Sequence, residues 1–460
     1  MVWPENFAMI RYTLLVLVSL GLAGIFSPQS KAQAKPARPA TKSDQTNPPP
    51  AIDLERAKAY FAEARRLAEA DGGKLWGKSL AGPVLFVDPR TRFAVANQAD
   101  AEGTLKGLNG VFTATLPAKV PLANTAYRWS GTHWSMVLWP LPTEKAERAT
   151  LLMHESWHRI QADLGLPSID PANPHLDSLA GRYWLQLEWR ALARALHSVG
   201  EDQVKAMEDA LSFRLYRRKQ FAGSATTESV LELHEGLAEY TGVKLSGLIE
   251  GEQRRLLVKR LQEQPAQIPS FIRSFAYLSG PAYGLLLDEY SQGWRARLKP
   301  GNDLAMILAK EINLKMDLEP ETAIKQRAAR YDAEKLWAAE SAREQNRLKK
   351  VADFRQQLID GPVLVIPLSK QQMSFNPSLL VPIEGAGTVY PTLTLIGPWG
   401  KLVVHKASLI ASDFKKATVP APFQTEEATL KGDGWELRLE PGWKAKKGER
   451  NGDWILANNN

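Results

Sequence analysis

Leu151-Leu152-Met153-His154-Glu155-Ser156-Trp157-His158 is the stretch from which the rest of the chain can be read. Thr143 can cap a helix through it, and Gly165 with Pro167 can end that helix, so the stretch falls mid-helix. Side chains four apart lie one above the other on a helix face, so His154 and His158 can reach one ion. Neutral imidazole nitrogen suits zinc at about 2.0–2.1 Å, and zinc is content with three protein ligands and a water. Glu155 is rotated off that pair yet adjacent to it, which suits it to take a proton from such a water instead of ligating. The chain has only seven histidines, so this pattern would arise by accident on the order of one per cent of the time.

A third ligand must come from elsewhere. Gln161 and Leu164 stand where a metzincin needs Gly and His, and the other histidines (His133, His175, His197, His234, His405) have no tidy spacing. Farther on comes Leu233-His234-Glu235-Gly236-Leu237-Ala238-Glu239-Tyr240, on an expected helix near 227–245 capped by Thr226 or Thr227. Together with His154-Glu155-x-x-His158 this string resembles the gluzincin zinc metallopeptidases, the clan of thermolysin and aminopeptidase N. The resemblance implies one zinc ion held by His154, His158 and Glu235, with Glu155 as general base. His234 stands where those families have Asn, as a support for the ligands or a ligand itself. The 76 residues between His158 and Glu235 exceed the family's interval, so helices over 176–221 are expected as an insertion beside the site. Glu188 is the rival third ligand, with 29 residues between it and His158, although its apolar surroundings favour a buried structural role with Arg190. Glu239, one turn beyond Glu235, could orient a ligand imidazole.

Tyr277-Leu278-Ser279-Gly280 resembles the Tyr-x-x-Gly string of aminopeptidase N relatives, which implies that Tyr277 donates to the oxyanion, with Tyr283 as second choice. Those relatives also carry a glutamate on an upstream strand that holds a substrate amine. Residues 129–140 contain no carboxylate, so aminopeptidase specificity is unsupported, though this strand could edge a cleft and pair with an extended peptide. The resemblance spans roughly 80–290 and is one of motifs.

The implied fold class is α+β. A gluzincin-like catalytic domain, a twisted sheet plus a helical subdomain, is expected over 53–318, with strands near 84–87, 92–96, 110–115 and 127–139. A long charged bridging helix is expected over 319–360, and a small all-β sandwich-like domain over 361–460, where β-branched runs alternate with Gly, Pro and Asp turns. Residues 1–34 read as a bacterial signal peptide: Arg11, an apolar stretch from Tyr12 to Phe26, then Ala32-Gln33-Ala34 for cleavage. Residues 35–52 read as a disordered Pro-rich linker.

The chain has no cysteine, which excludes disulfide scaffolds, thiolate metal sites and cysteine nucleophiles. Its net charge of +8 falls only to +7 without the first 34 residues and is thinly spread, so nucleic acid is not an expected partner. The expectation is a periplasmic or secreted zinc peptidase acting on a peptide or protein substrate, touching membrane only through an uncleaved signal segment. The rival class is a binding or envelope-scaffold protein with a vestigial or structural zinc site, and a zinc hydrolase of a non-peptide bond would share the same ligands.

Overall fold

Asp53 is the first helix cap among the described residues: its carboxylate accepts from the Arg56 amide at 3.0 Å and opens α1, Leu54–Asp71. The computed structural model describes residues 52–315, 319–369, 371–375, 379–426 and 428–458, so the expected signal peptide and nearly all of the linker lie outside the described residues. Among these residues no helix is long and apolar enough to cross a membrane. The architecture is mixed α+β, with a helical region and separate β-sheets. The chain divides into two units, the first holding residues up to 74 and 78–160, the second 75–77 and 161 onward.

In the first unit, α1 buries Ala57, Phe61, Ala64, Leu67 and Ala68, an apolar stripe at helical spacing. Six strands follow: β1 (Val84–Val87), β2 (Phe93–Ala96), β3 (Lys106–Leu108), β4 (Val111–Thr115), β5 (Thr125–Trp129) and β6 (Thr132–Leu138). They form one sheet in the order β3-β4-β2-β1-β6-β5, antiparallel except for the central β1–β6 pair. All four residues of β1 are buried, as a strand covered on both faces requires. Leu85 and Val87 join Trp134 and Met136 in one core, while Phe86 stacks on Phe61 at 4.3 Å. The run expected as one strand over 127–139 is a hairpin, turned at Ser130 and Gly131, both at positive φ. Its second strand, β6, is paired on both sides, so the cleft-edge role expected of 129–140 does not hold for it; β5 is the edge.

Helix α2, Lys145–Gln161, carries the His-Glu-x-x-His string. Glu144, not Thr143, closes its start, accepting from the Glu147 amide at 2.7 Å. Arg159 donates to the Leu80 and Ala81 carbonyls, and a side chain at Gly82 would occupy its guanidinium. The helix gives way to a 3-10 turn and to Gly165 in the left-handed region.

The second unit begins with α3 (Leu179–His197), capped by Ser178, and α4 (Gly200–Gln220). The helix expected near 227–245 is interrupted. It runs as α5 (Ser224–Leu231), a π turn (Glu232–Gly236) and α6 (Leu237–Lys244), with Gly223 at its start in place of a threonine cap. Helices α7 (Glu250–Glu263), α8 (Phe271–Ser274), α9 (Ala276–Tyr290) and α10 (Leu304–Glu311) complete the cluster. The charged stretch expected as one helix is two, α11 (Glu321–Ala329) and α12 (Ala333–Arg355), broken where Asp332 takes a positive φ. Arg182 and Gln186 of α3 hold Glu340 of α12 at 2.6 and 2.7 Å, which packs α12 along α3. Beyond it, seven- and six-stranded sheets share a core including Leu364, Tyr390, Leu395, Trp399, Leu402 and Trp435, a sandwich-like arrangement.

Gly236, at the end of the π turn, lies backbone against backbone on Gly280 of α9: a Cβ on Gly280 would stand 2.3 Å from the Gly236 Cα. Neither main chain can give way as a flexible side chain could. Gly280→Ala is therefore expected to destabilise the protein by about 1–3 kcal/mol, read as a lowered urea midpoint with unchanged slope.

Candidate metal centre

Helix α2 aligns the two imidazoles as its periodicity requires, with His154 Nε2 and His158 Nε2 3.1 Å apart. Two nitrogens bound at about 2.1 Å to one tetrahedral ion would stand roughly 3.4 Å apart, close to this spacing. His154 and Glu155 are buried and His158 is half-buried. One ligand atom from each of His154, His158 and Glu235 lies within 4.8 Å of the other two. Two neutral imidazoles and a carboxylate are the donor set of open, three-ligand zinc sites.

The π turn determines where Glu235 points. In an uninterrupted helix, Glu232 and Glu235 would share a face. The wider turn lets them serve different partners. Glu232 turns to Arg214, which donates to both of its oxygens. Glu235 receives the Tyr277 hydroxyl at 2.5 Å on one oxygen and Arg273 Nη2 at 2.6 Å on the other. His234 Nε2 stands 3.3 Å from Glu235, and its Nδ1 is 3.0 Å from the amide oxygen of Gln161, the last residue of α2. Burial pushes the Tyr277 hydroxyl well above the ordinary tyrosine range, and the charge of Glu235 pushes it the same way, so it stays protonated and donates.

The other expectations sort themselves. Glu188 is fully buried, but its partners are Arg214 at 2.8 Å, Arg217 at 2.5 Å and the Tyr283 hydroxyl at 2.9 Å. Arg190, its expected companion, instead donates to the Tyr331 carbonyl. Glu188 and Tyr283 therefore belong to a buried charge cluster. Glu239 takes Arg260 at 2.6 Å. Nothing in the sequence reading points to Arg273, nor to Gln161 as a partner of His234. Arg273 precedes Tyr277 by four residues, the interval of a shared helical face, and that spacing was the available signal.

The cluster joins Glu188, Glu228, Glu232 and Asp303 to Arg214, Arg217 and Arg218. Burial pushes all four carboxyl pKa values up, and at Glu232 it prevails, but at the other three the guanidiniums outweigh it: Arg214 and Arg217 hold Glu188 low, Arg217 and Arg218 hold Glu228 lower, and Arg218 and Arg214 bring Asp303 to about 2.

Comparison with protein-family models, with curated proteins and with solved structures gives no match.

A carboxylate whose pKa is depressed on folding contributes stability that is complete above its unfolded value and is lost as pH falls through its folded value. Acid should therefore weaken the protein progressively from about pH 4 downward, towards the Asp303 value of about 2. Glu188→Ala leaves two arginines without a shared partner and should cost about 3–5 kcal/mol. Urea unfolding at pH 7 and pH 3 checks both expectations, and the variant's deficit should shrink at the lower pH.

Proposed function

We propose that this chain is an exported zinc-dependent peptidase of gluzincin type, with a catalytic domain over 53–318. The observation that carries the reading is the convergence of His154, His158 and Glu235, two imidazoles one helical turn apart and a carboxylate from a distant helix. The preference for a peptide bond comes from the motif resemblance, which extends to Tyr277.

His154, His158 and Glu235 would hold the ion. Zinc bound there supplies a water of lowered pKa and polarises a carbonyl. Glu155, next to His154 and itself buried, accepts the water's proton and returns it to the leaving amine. Tyr277, whose single proton is donated to Glu235, would turn that proton to the oxygen on which charge develops. His234 and Gln161 steady the segment that carries Glu235.

Two sets of variants test the assignment. Glu155→Gln should lower hydrolysis of an unfolded protein by about 100-fold or more while one zinc per chain remains in metal analysis. Tyr277→Phe should lower kcat by about 100-fold with little change in KM. His154→Ala and Glu235→Ala should lose zinc at unchanged secondary structure. Turnover by Glu155→Gln at the wild-type rate would eliminate the mechanism, and purified wild type without zinc would favour the scaffold role instead.

A further inference from the structure

The seven-stranded sheet of the C-terminal region ends in an open edge. Its outermost strand is Trp443–Lys447, paired among the described residues on one side only, with Trp454–Asn458. The other outer strands of the two C-terminal sheets are shorter: Val381–Ile383, which carries Pro382, Gln424–Thr425 and Gln372–Phe375. Proline and brevity both blunt an edge, because they shorten the run of main-chain groups that another strand could use. Trp443–Lys447 has five residues and no proline.

Its side chains alternate. Trp443 and Ala445 are half-buried and pack against the core shared by the two sheets, while Lys444 and Lys446 stand exposed on the opposite face. Lys447 is exposed too, its Nζ 3.9 Å from the centre of the Trp454 ring. None of the three lysines makes an ion pair among the described residues. The main chain alternates as well. The Gly448 amide donates to the Asp453 carbonyl at 2.8 Å, in register with the hairpin pairs. Hydrogen-bonded and non-hydrogen-bonded pairs alternate along an antiparallel ladder, so Lys446 and Lys444 turn their peptide groups towards Trp454–Asn458. Ala445 and Lys447 turn theirs outward, where no strand lies among the described residues.

A strand added antiparallel to this edge would meet a definite pattern. Opposite Lys444 and Lys446 it would form the non-hydrogen-bonded pairs, in which facing side chains come closest. Carboxylates at those two positions would be attracted to the ammonium groups. The residue between them would face Ala445, where an apolar side chain extends the margin of the core. A second copy of the same strand, centred on Ala445, would instead set Lys444 against Lys446 and be repelled.

We propose that Trp443–Lys447 is a docking edge for an extended acidic segment of a partner protein, which adds as an antiparallel strand with carboxylates at two alternate positions and an apolar residue between them. Main-chain bonds to Ala445 and Lys447 hold the segment, and Lys444 and Lys446 select it. The proposal is independent of the peptidase reading, since neither the metal centre nor turnover enters it.

Four labelled peptides titrated into the full chain by fluorescence anisotropy test it. One has two glutamates flanking a central valine. The second replaces the glutamates by lysines, the third sets them side by side at the same composition, and the fourth is the first methylated on the valine amide. The alternating acidic peptide should bind about ten-fold more tightly than each of the others. Combining Lys444→Glu with Lys446→Glu should reverse the choice between the acidic and lysine peptides. Ala445→Pro removes an outward amide at a place where an edge strand tolerates proline, and should lose binding at an unchanged circular dichroism spectrum. A methylated or side-by-side peptide that binds as well as the alternating one would overturn the strand geometry. Absence of binding, or equal binding of acidic and lysine peptides, would overturn the docking edge. A wild-type dimer in sedimentation equilibrium that Ala445→Pro converts to monomer would make a second copy the occupant, and would overturn the acidic partner.

Discussion

Glu235 is aimed by a backbone constraint. Gly236 follows it directly and touches the main chain of Gly280, so α9 approaches the π turn as closely as two peptide chains can. That crossing also fixes Tyr277, one turn earlier on α9, at hydrogen-bonding distance from the Glu235 carboxylate. Two glycines thus set the relation between a candidate ligand and a candidate oxyanion donor. Larger residues would separate both at once.

On its other side the π turn is held by charge. Glu228 and Glu232, four apart, enter the arginines of α4, and Glu188 of α3 bridges Arg214 and Arg217. Burying so many ions is an inefficient route to stability, because desolvation offsets much of the attraction. Such a network does penalise any shift in register, since moving one member leaves another buried and unpaired. A π turn is a less favourable helix geometry that needs external support, and this cluster provides it.

Periodicity made several parts legible. The helix-spaced histidines, the stripe of α1, the all-apolar β1 and the turn-rich C-terminal third each follow from local spacing alone. Glu235 was legible only through a resemblance of motifs. What local spacing could not show is the purpose of the long interval before it. Helices α3 and α4 occupy that interval and supply Glu188, Arg214, Arg217 and Arg218 to the clamp on the π turn. The isolated acidic residue in an apolar helix looked like a rival ligand because nothing local marks its partners, which lie 26 and 29 residues away. The break at Asp332 was hidden for a similar reason: 330–332 carry no Gly or Pro, and the break is held by Arg190 reaching over to the exposed carbonyls of residues 331 and 332.

The surroundings of Glu235 bear on how readily it could serve an ion. Both oxygens already accept strong hydrogen bonds, from a guanidinium and from a tyrosine that keeps its proton. Each carboxylate oxygen has two lone pairs, so these bonds orient the group without exhausting its capacity. A carboxylate fixed in this way loses less conformational freedom on binding than a mobile one, the usual service of the groups around a ligand. Arg273 adds a positive charge beside Glu235, which would weaken the hold on a cation but strengthen the attraction for anions. A site balanced in that way gives up some metal affinity and gains a field suited to a substrate on which negative charge must develop.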